Sequence, residues 1–213
     1  MSAICIMGES GSGKTTSLRN LDPKTTFIID SDKKGLSWKG WRDGFSGDKK
    51  NYLKTDFPSV ALQALQKVDK DKSYKHIKTI VVDTINGLMV ADEMRRSKEK
   101  GYDKWQDLAQ SIYDLVDYAL TVRDDLTVVF IAHTQTDHDE NGYMWTRIKT
   151  SGRKLDKIVL ESKFSTVLLA KCVDGEYKFE TQSNFSTAKS PMGALEKEVP
   201  NDLAAVLEAL KEY

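Results

Sequence analysis

The chain has 213 residues, enough for one domain with a sizeable core and short of what two independent domains usually need. Hydrophobic residues at 39% and charged residues at 30% are ordinary globular usage, which excludes a disordered chain. The 32 Lys and Arg balance the 32 Asp and Glu, so no whole-molecule field draws in nucleic acid or an anionic membrane, and any such binding must be local. The longest apolar runs, Ile80-Val81-Val82 and Val128 to Ala132, are far too short to span a bilayer, and Met1-Ser2-Ala3 leads into a strand-like segment without a basic leader. The expectation is a cytoplasmic protein with no membrane partner. Cys5 and Cys172 each lie in an apolar segment with no partner at metal-site spacing and read as structural thiols.

Ala3 to Met7 is a short apolar strand broken by Gly8, and a helix is expected from Lys14 to about Asp22-Pro23. Thr25 to Asp30 is a second, β-branched strand, and Asn51 to Thr55 a weaker third. The aromatic and glycine-rich stretch between them, with Trp38, Trp41 and Phe45, reads as an ordered loop. Apolar residues at 60, 61, 64, 65 and 68 have helical spacing. Thr79 to Val82 is a strand without charge. From Asp103 to Arg123 one apolar face, Trp105 to Leu120, is wide enough to cover a sheet. Thr127 to Ala132 is another buried strand, and the alternation to this point predicts an α/β domain with a largely parallel sheet. Beyond residue 135, Thr166 to Lys171 and Tyr177 to Thr181 flank Asp174-Gly175, a hairpin turn pair, so the sheet ends in antiparallel strands. A last helix starts at Pro200-Asn201.

Chemistry concentrates in Gly8-Glu9-Ser10-Gly11-Ser12-Gly13-Lys14-Thr15, which fits the phosphate-loop pattern of Gly, four residues, Gly, Lys and Ser or Thr, between a strand and a helix. In such a loop the glycines let successive N–H groups turn inward on the phosphates, and a following helix adds its positive end. Lys14 is then the cation for the β- and γ-phosphates and the Thr15 hydroxyl a Mg2+ ligand, so ATP and Mg2+ are the expected cofactors. Asp83, ending the apolar run Ile80-Val81-Val82, is the matching Mg2+ carboxylate. Thr84 follows it where many such ATPases carry a Glu, so the general base must come from elsewhere.

The sequence resembles the RecA-like recombinase ATPases along nearly its whole length, which implies a RecA-like P-loop core occupying 1–213 as a single domain. The likeness rests on Gly8 to Thr16, on Phe27 to Asp32, on Ile80 to Leu88 and on Val129 to Gln135. It implies that Asp32 polarises the attacking water, with Asp30 as the internal rival, and that His133 and Gln135 sense the γ-phosphate. Ser186 to Pro191 resembles the family's late turn, which implies self-association with Lys189 acting on a neighbour's nucleotide. The compact layout is most similar to the phage-encoded single-strand-annealing ATPases, which implies single-stranded DNA as partner.

Residues 143 to 157 carry Arg147, Lys149, Arg153, Lys154 and Lys157 against Asp156, interleaved with Tyr143 and Trp145, and follow the sensor-like strand where the family has a mobile DNA-binding loop. A solvated surface loop explains the same composition. The stretch Arg95, Arg96, Lys98, Lys100 and Lys104 reads as solvated. His133 and His138 lack further ligands for a metal. The leading expectation is a DNA-stimulated ATPase in recombination or annealing. Its rivals are a P-loop kinase for a small molecule, for which no arginine-rich lid is evident, and a nucleotide-gated interaction protein with little turnover.

Overall fold

The computed structural model describes residues 3–138, 140, 142–151 and 159–212. Its strands, among the described residues, are β1 (Ala3–Gly8), β2 (Thr26–Asp30), β3 (Tyr52–Lys54), β4 (Thr79–Asp83), β5 (Thr127–His138), β6 (Met144–Ile148), β7 (Thr166–Val173), β8 (Glu176–Glu180) and β9 (Glu198–Pro200). They form one sheet in the order β3-β2-β4-β5-β1-β7-β8-β9, with β6 pairing off the path to β5. Strands β3 to β7 of that path run parallel; β7-β8 and β8-β9 are antiparallel, the hairpin end expected from the sequence.

The period of two along each central strand divides its side chains between two cores. Ala3, Cys5 and Met7 of β1, Ile80 and Val82 of β4, and Val128 and Phe130 of β5 face one core. Ile4 and Ile6, Val81, and Val129 and Ile131 face the other. This two-sided burial is why these strands read as unbroken apolar runs. The first face is covered by α2 (Pro58–Lys70), α3 (Ile85–Arg95) and α4 (Tyr102–Ala119). The second is covered by Leu18, Leu36 and Phe45 and by the C-terminal helix α5 (Leu203–Ala209), with the short α1 (Trp41–Gly44) against it. Phe130 is fully buried with its ring 5.6 Å from that of Phe164, so truncating it to Ala should cost about 3–5 kcal/mol.

Several boundaries differ from expectation for local reasons. Instead of a helix from Lys14, the chain makes turns and one short 3-10 helix, Thr16–Asn20. Pro23 biases the residue before it away from helix, so any helix after the loop has to be short. The N-terminal end of a long helix is therefore not part of this phosphate site. Straight after β4 comes α3, a helix not expected from the sequence, which the Thr84 hydroxyl caps by accepting from the Gly87 N–H at 3.0 Å. The last helix begins at Leu203, capped by Asp202, which accepts from the Ala204 N–H at 3.0 Å. The start of the basic segment is strand, not loop: β6 pairs Arg147 with Gln135 and Trp145 with Asp137. Arg153, Lys154, Asp156 and Lys157 lie outside the described residues. The stretch after α3 is not simply solvated, since Arg96 binds Glu99 at 2.7 Å and Asp107 at 3.1 Å, and Lys104 is buried over Trp105. Among the described residues no helix is long and apolar enough to cross a membrane.

Candidate nucleotide site

Strand register sets the site. Asp30 lies opposite Asp83, Asp83 opposite Ile131, and Gly8 opposite both His133 and Ala170. The parallel strands thus deliver Gly8, Asp30, Asp83 and His133 to one edge, where ligands of open α/β sheets bind. Alternation adds the direction: Asp30 follows Ile28, Asp83 follows Val81 and His133 follows Ile131, all residues of the second core, which is also the face on which the phosphate loop turns back.

Gly8 is required by space, Gly11 by backbone, and Gly13 by both. A Cβ on Gly8 would stand 2.5 Å from Ser12 Oγ and 2.7 Å from the Ala170 carbonyl oxygen. Gly13 has φ +88°, and a Cβ there would meet the Tyr177 ring at 2.7 Å. Held this way, the loop borders a cleft of about 320 Å³ lined by Ser10, Gly11, Gly13 to Thr16, Lys34, Ser37, Thr84, His133 and Tyr177.

Inside it, the Lys14 side chain is 6% exposed and turns back to donate to the Gly8 and Glu9 carbonyls at 2.8 and 2.5 Å. Burial, only partly opposed by the charge of Asp83, pulls its ammonium down to about 8. Thr15 Oγ1 donates to Asp83 Oδ2 at 2.8 Å, while Asp83 Oδ1 is buried with no hydrogen-bond partner. Burial pushes the Asp83 carboxyl up to about 6 against the pull of the Thr15 hydrogen bond. A hydroxyl and a carboxylate with one orphaned oxygen form a hard-oxygen pair that suits Mg2+. Among the described residues no cluster of three or more His, Cys, Asp or Glu could hold a metal, so the ion's remaining ligands would be phosphate and water oxygens.

The two aspartates that end β2 have different surroundings. Asp30 is 2% exposed and accepts from Tyr52 Oη at 2.5 Å and the Gly35 N–H at 2.8 Å, so its carboxylate is engaged in holding the chain. Asp32 is bonded to two residues that line the cleft, accepting from Thr84 Oγ1 at 3.2 Å and from Lys34 Nζ at 2.6 Å. Ser31 ties the two strand ends together: its Oγ accepts from the Thr84 N–H and donates to the Thr84 carbonyl.

The other expected residues separate. His133 lines the cleft, with its backbone N–H on Asn86 Oδ1 at 2.7 Å; burial and the nearby Lys14 hold its imidazole below the usual range, favouring the neutral form. The Gln135 amide donates instead to Asp137 at 3.1 Å, away from the cleft lining. Thr16 is in the cleft; Glu9 and Ser12 line a second cleft of about 420 Å³ on the other side of the loop, whose Ser10 and Gly11 form the wall between the two. Lys189 is elsewhere: its backbone pairs with Val167, which is level with Cys5, three residues before the Gly8 level. That is about 10 Å down the sheet from the loop.

Lys34, Ser37 and Tyr177 are cleft residues that sequence reasoning passed over. Lys34 had a signal, a cation two residues beyond a candidate acidic strand end. Tyr177 had none, because only the hairpin's return across Gly13 brings it there.

No curated protein matches the chain. Residues 2–192 match the AAA domain family, a span that includes every residue of the cleft. With the phosphate loop at the carboxyl edge of a mostly parallel sheet and a Thr15–Asp83 pair beside it, the chain belongs to the AAA domain family, which implies nucleotide binding, usually with Mg2+.

Proposed function

We propose that the protein is a Mg2+-dependent ATPase of the RecA-like kind, working in the cytoplasm and stimulated by single-stranded DNA. The observation that carries the reading is the pair of buried, opposite and incompletely matched charges in one cleft: the Lys14 ammonium folded onto loop carbonyls and the orphaned Asp83 Oδ1. Both carry a desolvation cost that a bound Mg2+-triphosphate offsets. Lys14 then releases the Gly8 and Glu9 carbonyls to neutralise the β- and γ-phosphates, and Thr15 and Asp83 hold Mg2+, which supplies charge stabilisation to the transferring phosphoryl group. Neutral His133 is a hydrogen-bond donor for the terminal phosphate, and Asp32 the acceptor for the proton of the attacking water.

The DNA part of the proposal is supported by the β5–β6 ribbon, which extends the sensor strand past the sheet. It ends in Tyr143 and Met144, each 52% exposed, with the Tyr143 ring 5.4 Å from Phe185, itself 61% exposed. Such rings can stack bases beside Lys149. Lys189, too far down the sheet for its own cleft, is assigned to a neighbouring copy's nucleotide.

The test is phosphate release from ATP with Mg2+, with chelator, and with and without single-stranded DNA. Mg2+-dependent release that rises with DNA is expected. Tight nucleotide binding with no release under any condition would favour a nucleotide-gated interaction protein. Phosphate moved to a small acceptor in preference to water would favour a kinase.

A further inference from the structure

Lys34 has no role in the reading above, yet it reaches into the cleft that holds Lys14, Thr15, Thr84 and His133. Its backbone is fixed at the end of β2: the next residue, Gly35, is buried, has φ +85° and donates its N–H to Asp30 Oδ2 at 2.8 Å. Its side chain is 53% exposed, and among the described residues its ion-pair partner is Asp32, at 2.6 Å, which is 21% exposed. Partial burial pulls the ammonium down, but the hydrogen bond to Asp32 and the charges of Asp32, Asp83 and Asp30 outweigh this and hold it above the ordinary lysine value.

We propose that Lys34 is a γ-phosphate cation supplied by the same chain, and that its pair with Asp32 is the resting state which a triphosphate breaks. This rests on the ATPase reading. Relative strengths decide the direction. A partly exposed ion pair contributes little, whereas a charge-assisted hydrogen bond to a phosphate in a partly closed cleft is stronger. Lys34 therefore transfers when a terminal phosphate is present and stays on Asp32 when the ligand ends at the β-phosphate.

The transfer has a second consequence at Asp32. Paired with Lys34, the Oδ2 of that carboxylate is occupied; released, it is open to a water while Oδ1 keeps the Thr84 Oγ1 hydrogen bond. In the step that follows, the water oxygen bonds to the γ-phosphorus, and the bond from that phosphorus to the β,γ-bridging oxygen breaks. Its electron pair leaves with ADP, and the water proton goes to Asp32. One ammonium thus both recognises the third phosphate and withholds the base until that phosphate is present.

The experiment measures the affinities of the full chain for ADP and for a non-hydrolysable ATP analogue with Mg2+, for the wild type, Lys34→Met, Lys34→Arg and Asp32→Asn, together with single-turnover hydrolysis of ATP. Wild type should prefer the triphosphate. Lys34→Met should keep its ADP affinity, which also reports an intact cleft, and lose about tenfold of that preference, while Lys34→Arg restores most of it. Asp32→Asn should keep or raise the preference, because Lys34 is then unpaired, and lose hydrolysis. Rates per molecule should not depend on protein concentration in the part that Lys34 controls. The inference is overturned if Lys34→Met retains the wild-type preference, if it loses ADP and triphosphate binding equally, or if wild type has no preference at all. Failure of wild type to bind either nucleotide would overturn the ATPase reading as well.

Discussion

In the nucleotide cleft, Lys14 and Asp83 are buried with their charges only partly answered, one curled onto main-chain carbonyls and the other with an oxygen that has no hydrogen-bond partner. On the β5–β6 ribbon charge is treated differently, with Arg147 laid against Asp137 at 3.2 Å and Asp137 also accepting from Gln135. Around α3 the surface cations are answered too: Arg95 lies 3.3 Å from Asp56 and 3.8 Å above the Phe57 ring. Compensated surface charge stabilises little and asks for no ligand. Buried uncompensated charge is expensive, and its presence at one sheet edge marks where a ligand of opposite sign belongs.

The sharpest way to break this contrast is at Lys14. Lys14→Met should lower ATP affinity by about 100-fold or more, as loss of a main electrostatic donor does. Stability of the empty protein should change by less than about 1 kcal/mol, since the lost hydrogen bonds and the relieved desolvation oppose each other. Calorimetric titration and thermal unfolding measure the two. A large stability loss with unchanged affinity would make Lys14 a structural residue.

Next in size is the pH dependence of Asp83. In the fold this carboxyl keeps its proton up to about pH 6, against 3.8 in its ordinary state. The group therefore favours the fold at low pH, and that contribution is lost as pH rises through 6. Asp83→Asn should accordingly stabilise the empty protein by about 1–3 kcal/mol at pH 8, a gain that shrinks as pH falls below 6. The same variant should lose Mg2+-dependent turnover. Because Lys14 sheds its proton above about 8 and Asp83 gains one below about 6, Mg2+-ATP affinity should be highest between those values. A flat profile from pH 5 to 9 would contradict the buried-charge account.

The ribbon gives a smaller effect. Tyr143→Ala combined with Phe185→Ala should weaken single-stranded DNA binding by about tenfold while leaving basal ATP affinity as it was; equal DNA binding would reduce the ribbon to a surface feature. Smallest is Arg95→Ala, expected to cost under about 1 kcal/mol in chemical denaturation with no change in nucleotide affinity.

Much of the sheet was legible because parallel strands buried on both faces leave an unambiguous apolar run, as β1, β4 and the first half of β5 do. The phosphate loop and Asp83 were legible because their chemistry depends on residue type and on position at a strand end. Helix α3 was missed because its buried positions, Ile85, Asn86, Leu88 and Met89, crowd into its start and leave no long apolar stripe, so its stability comes from the Thr84 cap and that packing. Strand β6 was missed because only five residues, Met144–Ile148, pair at the start of a basic segment, and their partner, the far end of β5, is polar.

The sequence by itself determined the α/β class, the glycine loop with Lys14 and Thr15, and the strand-end position of Asp83, since each follows from local spacing and side-chain chemistry. Tertiary structure decided which strand-end acid is the more accessible. Asp30 and Asp32 are equivalent as residue types two positions apart, but Tyr52 and the Gly35 N–H occupy Asp30, whereas only the exposed Lys34 and the Thr84 hydroxyl meet Asp32. It also decided that Tyr177 borders the phosphate loop and that Lys189 does not, because those placements depend on where β7 and β8 return across the sheet. The Gly13–Tyr177 contact joins residues more than a hundred positions apart, and no local pattern in the chain encodes such a separation.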